Sequence, residues 1–150
     1  MDGTNLDDLA DYRPGIKALS DNGIKSPLVE TCFTKQDVRE EAKRAGLSIY
    51  DRPSNSCLAS RIPWGQRVTM ERLARIEVAE TMVKQATGAK QVRVRDLNGV
   101  AKIELGLDEL HLLSNTSKLE LESKLRQIGF ISVMVDPDGY KPGKINVIAD

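Results

Sequence analysis

The segment Pro53–Arg61 contains the residue best suited to nucleophilic chemistry. It reads Pro-Ser-Asn-Ser-Cys-Leu-Ala-Ser-Arg and places Cys57 in a polar stretch between Arg52 and Arg61. A nearby guanidinium favours the thiolate over the thiol, and the thiolate is the form that attacks an electrophile. The pattern therefore predicts a reactive thiol at Cys57. The alternative is that Cys57 is a small buried hydrophobe without chemistry.

The second cysteine, Cys32, lies between Thr31 and Phe33 directly before a predicted helix, and we interpret it as structural. Two cysteines in 150 residues do not make a disulfide framework. We therefore expect free thiols in a reducing compartment, the cytoplasm. The chain has one histidine, which excludes a two-histidine metal site within it.

A basic group forms a second candidate site. Arg93 and Arg95 share one face of a predicted strand, and Lys141 and Lys144 lie in the sequence Gly-Tyr-Lys-Pro-Gly-Lys. Arginine can bind a phosphate or carboxylate through two parallel hydrogen bonds. The alternative is a solvated strand face followed by an ordinary turn, since the spacing of a Walker P-loop is absent.

An acidic group near the N-terminus is the third candidate. Asp7, Asp8 and Asp11 supply carboxylate oxygens, the ligands that Mg²⁺ prefers. The alternative is a solvated acidic turn.

The elements around these groups can be read from caps and periodicity. Thr34 and Thr69 are suited to capping two helices, and the second carries a stripe of apolar residues at helical spacing. Asn98-Gly99 between alternating segments predicts a hairpin. The predicted helices are 14–19, 34–44, 69–87, 108–113 and 116–128, and the predicted strands are 47–50, 91–96, 100–105, 130–135 and, at an edge, 145–148.

The composition argues against nucleic acid and membrane partners. The 22 basic residues balance 22 acidic ones, so no net field attracts a polyanion. Only 4% of the residues are aromatic, which leaves few groups to stack on bases. The sequence also lacks the apolar run of about 18 residues that a membrane span needs.

Several segments, taken in order, resemble the LarE family of ATP-dependent sacrificial sulfur transferases in the PP-loop ATP pyrophosphatase superfamily. They extend over nearly the whole chain and are residues 2–5, 11–15, 26–28, 34–46, 53–65, 92–95, 101–104, 129–130 and 138–144. The resemblance implies an α/β remainder of a PP-loop domain at residues 1–50. An active-site loop and linker at 51–68 and a small α+β sandwich domain at 69–150 would follow.

The resemblance also implies a reaction. With ATP and Mg²⁺, such an enzyme adenylates a carboxylate of a pyridinium dicarboxylate mononucleotide, for the nickel-pincer nucleotide cofactor of lactate racemase. A protein cysteine attacks the acyl-adenylate, its own C–S bond breaks, and dehydroalanine remains. The family members assemble into homo-oligomers.

Roles can be assigned residue by residue from the same resemblance. Cys57 would donate the sulfur, and Glu80 would accept the proton in the elimination. Lys141 stands where the family has an arginine, which keeps the charge and loses the planar fork. The substrate-binding residues would be Ser60, Arg61, Arg93, Lys141 and Lys144, the nucleotide-binding residues Gly3, Thr4 and Asn5, and the metal ligand Asp8.

The family's phosphate-binding loop, Ser-Gly-Gly-x-Asp-Ser, has no counterpart in this sequence. We therefore interpret the chain as a C-terminal fragment that does not adenylate substrate by itself. Two alternatives stay open. One is a tRNA- or nucleotide-thiolating PP-loop enzyme, and the other is a non-catalytic assembly module in which Cys57 is inert.

Overall fold

The chain divides into two units, Met1–Arg52 and a second that begins at Pro53. The computed structural model describes residues 1–10, 15–115 and 118–141. The first unit contains a 3₁₀-helix, Leu6–Ala10, and the helices α1 (Gly15–Asp21), α2 (Pro27–Glu30) and α3 (Lys35–Arg44). None of its described residues is fully buried. The buried core of the described chain therefore lies in the second unit.

The second unit alternates helices and strands. Its elements are the 3₁₀-helix Leu58–Arg61, α4 (Met70–Thr87), β1 (Val92–Leu97), β2 (Val100–Leu105), the 3₁₀-helix Leu107–Asn115, α5 (Lys118–Gln127) and β3 (Ser132–Val135). This order confirms the predicted succession of helix, two strands, helix and strand. The suggested edge strand at 145–148 lies outside the described residues. Among the described helices, none has the length and apolar character needed to span a bilayer.

Side-chain caps fix the helix boundaries, as predicted. The Thr34 hydroxyl accepts the Asp37 amide, and the Asp37 carboxylate accepts the Thr34 amide, which makes a full capping box at the start of α3. Thr69 caps α4 in the same way by accepting the Arg72 amide. Gly88 ends α4 in the left-handed conformation at φ +73°.

The predicted strand at 47–50 is wrong, because this segment forms turns. The Tyr50 amide donates to the Leu47 carbonyl at 3.3 Å, which closes one turn. The Arg39 guanidinium donates to the carbonyls of Tyr50 and Arg52. The Arg39 side chain thus donates to backbone carbonyls that would accept hydrogen bonds from a neighbouring strand if this segment were part of a sheet.

The sheet has the order β1-β2-β3. β1 and β2 are antiparallel and are joined at Asn98-Gly99, where both residues have positive φ, so the hairpin prediction is confirmed. β2 and β3 are parallel, and the chain between them includes α5. Residues of α4 and α5 join the strands in one apolar core, which agrees with an α+β arrangement. The core residues are Ala79, Val83, Ala89, Val92, Val94, Ala101, Ile103, Leu105, Leu113, Leu121, Leu125 and Phe130.

The strand residues that alternate with this core are charged. Arg93 and Arg95 of β1 and Glu104 of β2 are all buried, although their side chains project away from the apolar core. The alternative of a solvated strand face is therefore wrong for Arg93 and Arg95. Their burial raises the question of what covers and neutralises them.

Candidate functional site

Cys57 lies directly before the 3₁₀-helix Leu58–Arg61 and is exposed. Its carbonyl oxygen accepts the Ser60 amide at 2.9 Å and the Ser60 hydroxyl at 2.7 Å. The Ser60 hydroxyl also lies 2.9 Å from that of Ser56. These bonds give the loop a defined shape and leave the thiol at the surface. The alternative of a buried Cys57 is therefore wrong.

Arg61 is the centre of this loop, and its side chain is only 1% exposed. Its Nη1 donates to the carbonyls of Ser56 and Cys57, at 2.8 and 3.1 Å, and to two serine hydroxyls. Its Nη2 donates to Asn55 Oδ1 at 3.2 Å. All three guanidinium nitrogens have protein acceptors, since Nε bonds Glu80. In this structure Arg61 holds the loop together from beneath.

Glu80, on α4, is the carboxylate that balances Arg61. Its Oε1 accepts Arg61 Nε at 2.8 Å and the Val94 amide at 3.2 Å. In the sheet formed by the described residues, β1 is an edge strand, so Glu80 satisfies a Val94 backbone group that has no neighbouring strand there to bond. Glu80 therefore links α4, β1 and the Cys57 loop.

Two further arginines hold the ends of the same loop. Arg95 Nη1 donates to the Ser60 carbonyl at 3.2 Å, and its Nε pairs with Glu104 at 2.7 Å. Arg93 Nη2 donates to the Ser54 carbonyl, and its Nη1 donates to Val92 at 2.7 Å. The loop that carries Cys57 therefore rests on three buried guanidinium groups, and we call this group the arginine base (Arg61, Arg93 and Arg95).

The arginine base carries more charge than its carboxylates neutralise. Among the residues that the structure describes, Glu80 and Glu104 supply two negative charges against three positive ones. Burial, and next the positive charge of Arg61, lower the pKa of Arg93. Two buried polar atoms also lack a partner among the described residues, Arg93 Nε and Glu104 Oε2. The arginine base that holds the Cys57 loop is thus electropositive, which suits an anionic substrate.

Two predicted substrate residues lie at the end of the described chain. Lys141 is exposed and follows Tyr140, whose ring contacts Arg93 at 5.3 Å from the guanidinium carbon. The structure thus brings the segment of Lys141 to the arginine base. Lys144 lies outside the described residues.

The predicted nucleotide residues form a compact turn in the first unit. Asp2 accepts hydrogen bonds from the Ser26 and Thr4 hydroxyls, which lower its pKa in that order. Asn5 Oδ1 accepts the amides of the next turn, and the Asn5 amide donates to Asp8 at 3.1 Å. Gly3 has open space beside its Cα.

No group of three or more histidine, cysteine or acidic residues in the described part of the chain could hold a metal ion. Asp8 already accepts the Asn5 amide. Magnesium usually keeps several waters and binds one or two carboxylates together with substrate phosphates. Asp8 fits such a shared site as one ligand, and the described residues do not form a protein-only cage.

Sequence reasoning placed Arg95 in the basic group without predicting its contact with the Cys57 loop, and it assigned no role to Glu104 or Tyr140. A signal for the first two was present, because a hairpin turning at Asn98-Gly99 sets Arg93 opposite Glu104 and Arg95 opposite Lys102. That register puts all four on one sheet face. Nothing in the sequence placed Tyr140 on Arg93.

Comparison with known proteins gives three relatives that match nearly the whole chain. An uncharacterized protein of Synechocystis is 40% identical over 147 residues, which is 97% of this chain and 54% of that protein. The pyridinium-3,5-bisthiocarboxylic acid mononucleotide synthase of Lactiplantibacillus plantarum is 34% identical over 148 residues, 97% of this chain and 52% of the synthase. An uncharacterized protein of Methanocaldococcus jannaschii is 34% identical over 142 residues, 94% and 54%.

The chain spans about half the length of the curated relatives it matches. No family model matches the sequence. The similarity to the synthase supports the resemblance to the LarE family.

Proposed function

We propose that this chain carries the sulfur-donating half of an ATP-dependent sulfur transferase of the LarE type. Cys57 is the donor, and the acceptor is an adenylated carboxylate of a pyridinium dicarboxylate mononucleotide. The observation that carries the proposal is the exposed Cys57 thiol on a loop fastened to three buried arginines. Similarity to a synthase of a bisthiocarboxylic mononucleotide supports the choice of acceptor.

The positive charge of the arginine base explains how such an acceptor would be bound. A pyridinium dicarboxylate mononucleotide is anionic through its phosphate and its free carboxylate. An anion near the loop would gain from the one uncompensated positive charge of the arginine base. Lys141 and Ser60 lie on segments that contact this base and are proposed to bind substrate with it. Arg61 is proposed to act mainly by shaping the loop, because its donors are already used.

The proposed chemistry has two redox-neutral steps. The Cys57 thiolate attacks the acyl carbon, a C–S bond forms, and the C–O bond to AMP breaks with its electron pair leaving on AMP. A base then removes the Cα proton of Cys57. The freed pair forms a Cα=Cβ double bond, the Cβ–S bond breaks, and sulfur leaves as the thiocarboxylate. Residue 57 is left as dehydroalanine.

Glu80 is the proposed base for the elimination, since it is the carboxylate tied to the loop through Arg61. Gly3, Thr4 and Asn5 are the proposed contacts of the nucleotide. ATP would activate the carboxylate, and Asp8 would supply one oxygen to Mg²⁺ beside the phosphates. The homo-oligomeric state and the cytoplasmic setting are expected by analogy with the family.

The experiment separates sulfur transfer from adenylation by supplying the acyl-adenylate ready made. The chain is mixed with this adenylate, and the thiocarboxylate product is measured by chromatography. We expect about one product per chain, because the donor is consumed. Cys57→Ser should give none, and Cys32→Ser, the matched control with the same atom change at the other exposed thiol, should match the parent.

The alternatives predict other results. Product from Cys57→Ser, or many products per chain without added sulfide, would contradict a sacrificial Cys57. No product from any variant would favour a non-catalytic assembly module.

A further inference from the structure

Arg93 differs from the other two members of the arginine base in how its charge is compensated. Arg61 pairs with Glu80 at 2.8 Å, and Arg95 pairs with Glu104 at 2.7 Å. Among the described residues, none of the ion pairs includes Arg93, although its side chain is buried. A buried cation outside any ion pair needs other sources of negative potential.

The face of an aromatic ring supplies such a potential. The Tyr140 ring lies over Arg93, with 5.3 Å between the guanidinium carbon and the ring centroid. Within about 6 Å, a guanidinium is attracted by the negative face of a ring, and more strongly where water is excluded. The other hydrogen bonds of Arg93 are to the carbonyls of Val92 and Ser54. Against burial and Arg61, which lower the pKa of Arg93, the charge of Glu80 raises it, and so does Tyr140, in part through a side-chain hydrogen bond. Tyr140 is therefore the side chain outside the Arg61–Glu80 pair that compensates this cation.

The position of Tyr140 is set by a tight turn fastened to β2. The Tyr140 amide donates to the Leu105 carbonyl at 2.7 Å, and the Asp136 amide donates to the Ile103 carbonyl at 2.9 Å. Between them Gly139 has φ +64°, and a Cβ there would lie 2.8 Å from the Leu105 oxygen. The turn can approach β2 this closely because position 139 is glycine.

We propose that Tyr140 is a positioning residue, whose ring holds the Arg93 guanidinium against the Ser54 carbonyl and so fixes the loop that carries Cys57. Ser54 lies three residues before Cys57, and Arg61 and Arg95 hold the other end of the same loop. Without the ring, Arg93 would keep two carbonyl contacts and the attraction of Glu80 against burial and the repulsion of Arg61. The importance of this loop rests on the proposed function.

The test uses two substitutions that keep much of the side-chain volume. Tyr140→Phe keeps the ring face and removes the hydroxyl, whereas Tyr140→Leu removes the ring. The matched control is Phe130→Leu, which removes a buried ring that lies over a different guanidinium of this unit, 4.7 Å from Arg75. Nuclear magnetic resonance then follows hydrogen exchange of two protons, Arg93 Nε–H and the Ser60 amide, which donates to the Cys57 carbonyl.

In Tyr140→Leu we expect both protons to exchange about tenfold faster, as loss of a partly buried cation–π contact predicts. The upfield ring-current shift of the Arg93 Nε–H signal should vanish. Tyr140→Phe should restore the parent values. Phe130→Leu should lower the unfolding temperature and leave the Arg93 signal in place.

Unchanged exchange at either proton in Tyr140→Leu would overturn the proposal, as would a Tyr140→Phe variant that behaves like Tyr140→Leu. Both measurements are made without substrate. A failure of sulfur transfer would therefore leave them unaffected, and the two proposals can fail separately.

Discussion

The pair Arg61–Glu80 gives the sharpest prediction about what holds the Cys57 loop. Arg61→Met keeps most of the side-chain volume and removes the charge, so Glu80 is left buried opposite an apolar group. Both members are nearly inaccessible, and they are 2.8 Å apart. Removal of one partner from a buried pair costs about 3–5 kcal/mol, because the remaining charge has lost its compensation.

The lost carbonyl contacts add little to this figure. Ser56 and Cys57 are exposed, so water can take the place of the guanidinium at their carbonyls. A domain of this size has a free energy of unfolding of about 5–15 kcal/mol, so the variant should still fold. With a denaturant slope of about 1–3 kcal/mol per molar urea, the midpoint should fall by roughly 2 M.

The assay is urea unfolding followed by circular dichroism and by the fluorescence of Trp64, the single tryptophan, three residues after Arg61. Arg61→Met with Glu80→Gln removes the uncompensated charge and keeps an acceptor for the Val94 amide, so it should recover more than half of the loss. The control is Lys124→Met, which breaks an exposed pair on α5 and should cost under about 0.5 kcal/mol.

A loss of unfolding free energy in Arg61→Met no larger than that in Lys124→Met would contradict this prediction. So would a double variant that is no more stable than Arg61→Met. Either result would mean that the buried charge does not hold the loop.

Three further predictions follow from single contacts. Burial alone would raise the pKa of Asp96, but hydrogen bonds from Arg75, the Gly99 amide and Arg72 outweigh it and lower that pKa. The ionised Asp96 carboxylate therefore stabilises the fold above its unfolded pKa of about 3.9, and this stabilisation is lost as the pH falls through the folded pKa. Between about pH 5 and pH 3, the urea midpoint should fall more in the parent than in Asp96→Asn. Gly139→Ala should cost about 1–3 kcal/mol more in thermal unfolding than Gly88→Ala, because both have positive φ but only the first new Cβ meets a carbonyl. The 150-residue chain given ATP, Mg²⁺ and the free dicarboxylate should release no AMP in a coupled assay, because the Ser-Gly-Gly-x-Asp-Ser motif is absent from its sequence, and clear release would contradict this prediction.

Local signals predicted helix caps in both units and the hairpin of the second. Thr34 and Thr69 cap their helices through contacts within three residues, and Asn98-Gly99 turns the hairpin through its own backbone preferences. Such features depend on neighbours along the chain, so the sequence alone reveals them. The apolar stripe predicted for α4, the helix that Thr69 caps, was less accurate. Of its residues, Leu73 is half-buried and Ala86 is exposed, while the charged Glu80 of the same helix is buried.

Contacts between distant segments could not be predicted in this way. Arg93 is buried because Ser54, 39 residues earlier, and Tyr140, 47 residues later, both contact it. Likewise, Arg61 is buried because α4 presents Glu80 to it. The charged pattern on β1 indicated a site but gave no information about what covers it.

The most direct test of the account is tandem mass spectrometry of the peptide that contains Cys57 after reaction with the acyl-adenylate. If Cys57 is the sulfur donor, residue 57 should lose about 34 Da, the mass of H₂S, in proportion to the thiocarboxylate formed. The peptide that contains Cys32 should keep its mass. Thiocarboxylate formed while Cys57 stays intact, or a loss at Cys32 instead, would contradict the claim that Cys57 gives up its sulfur.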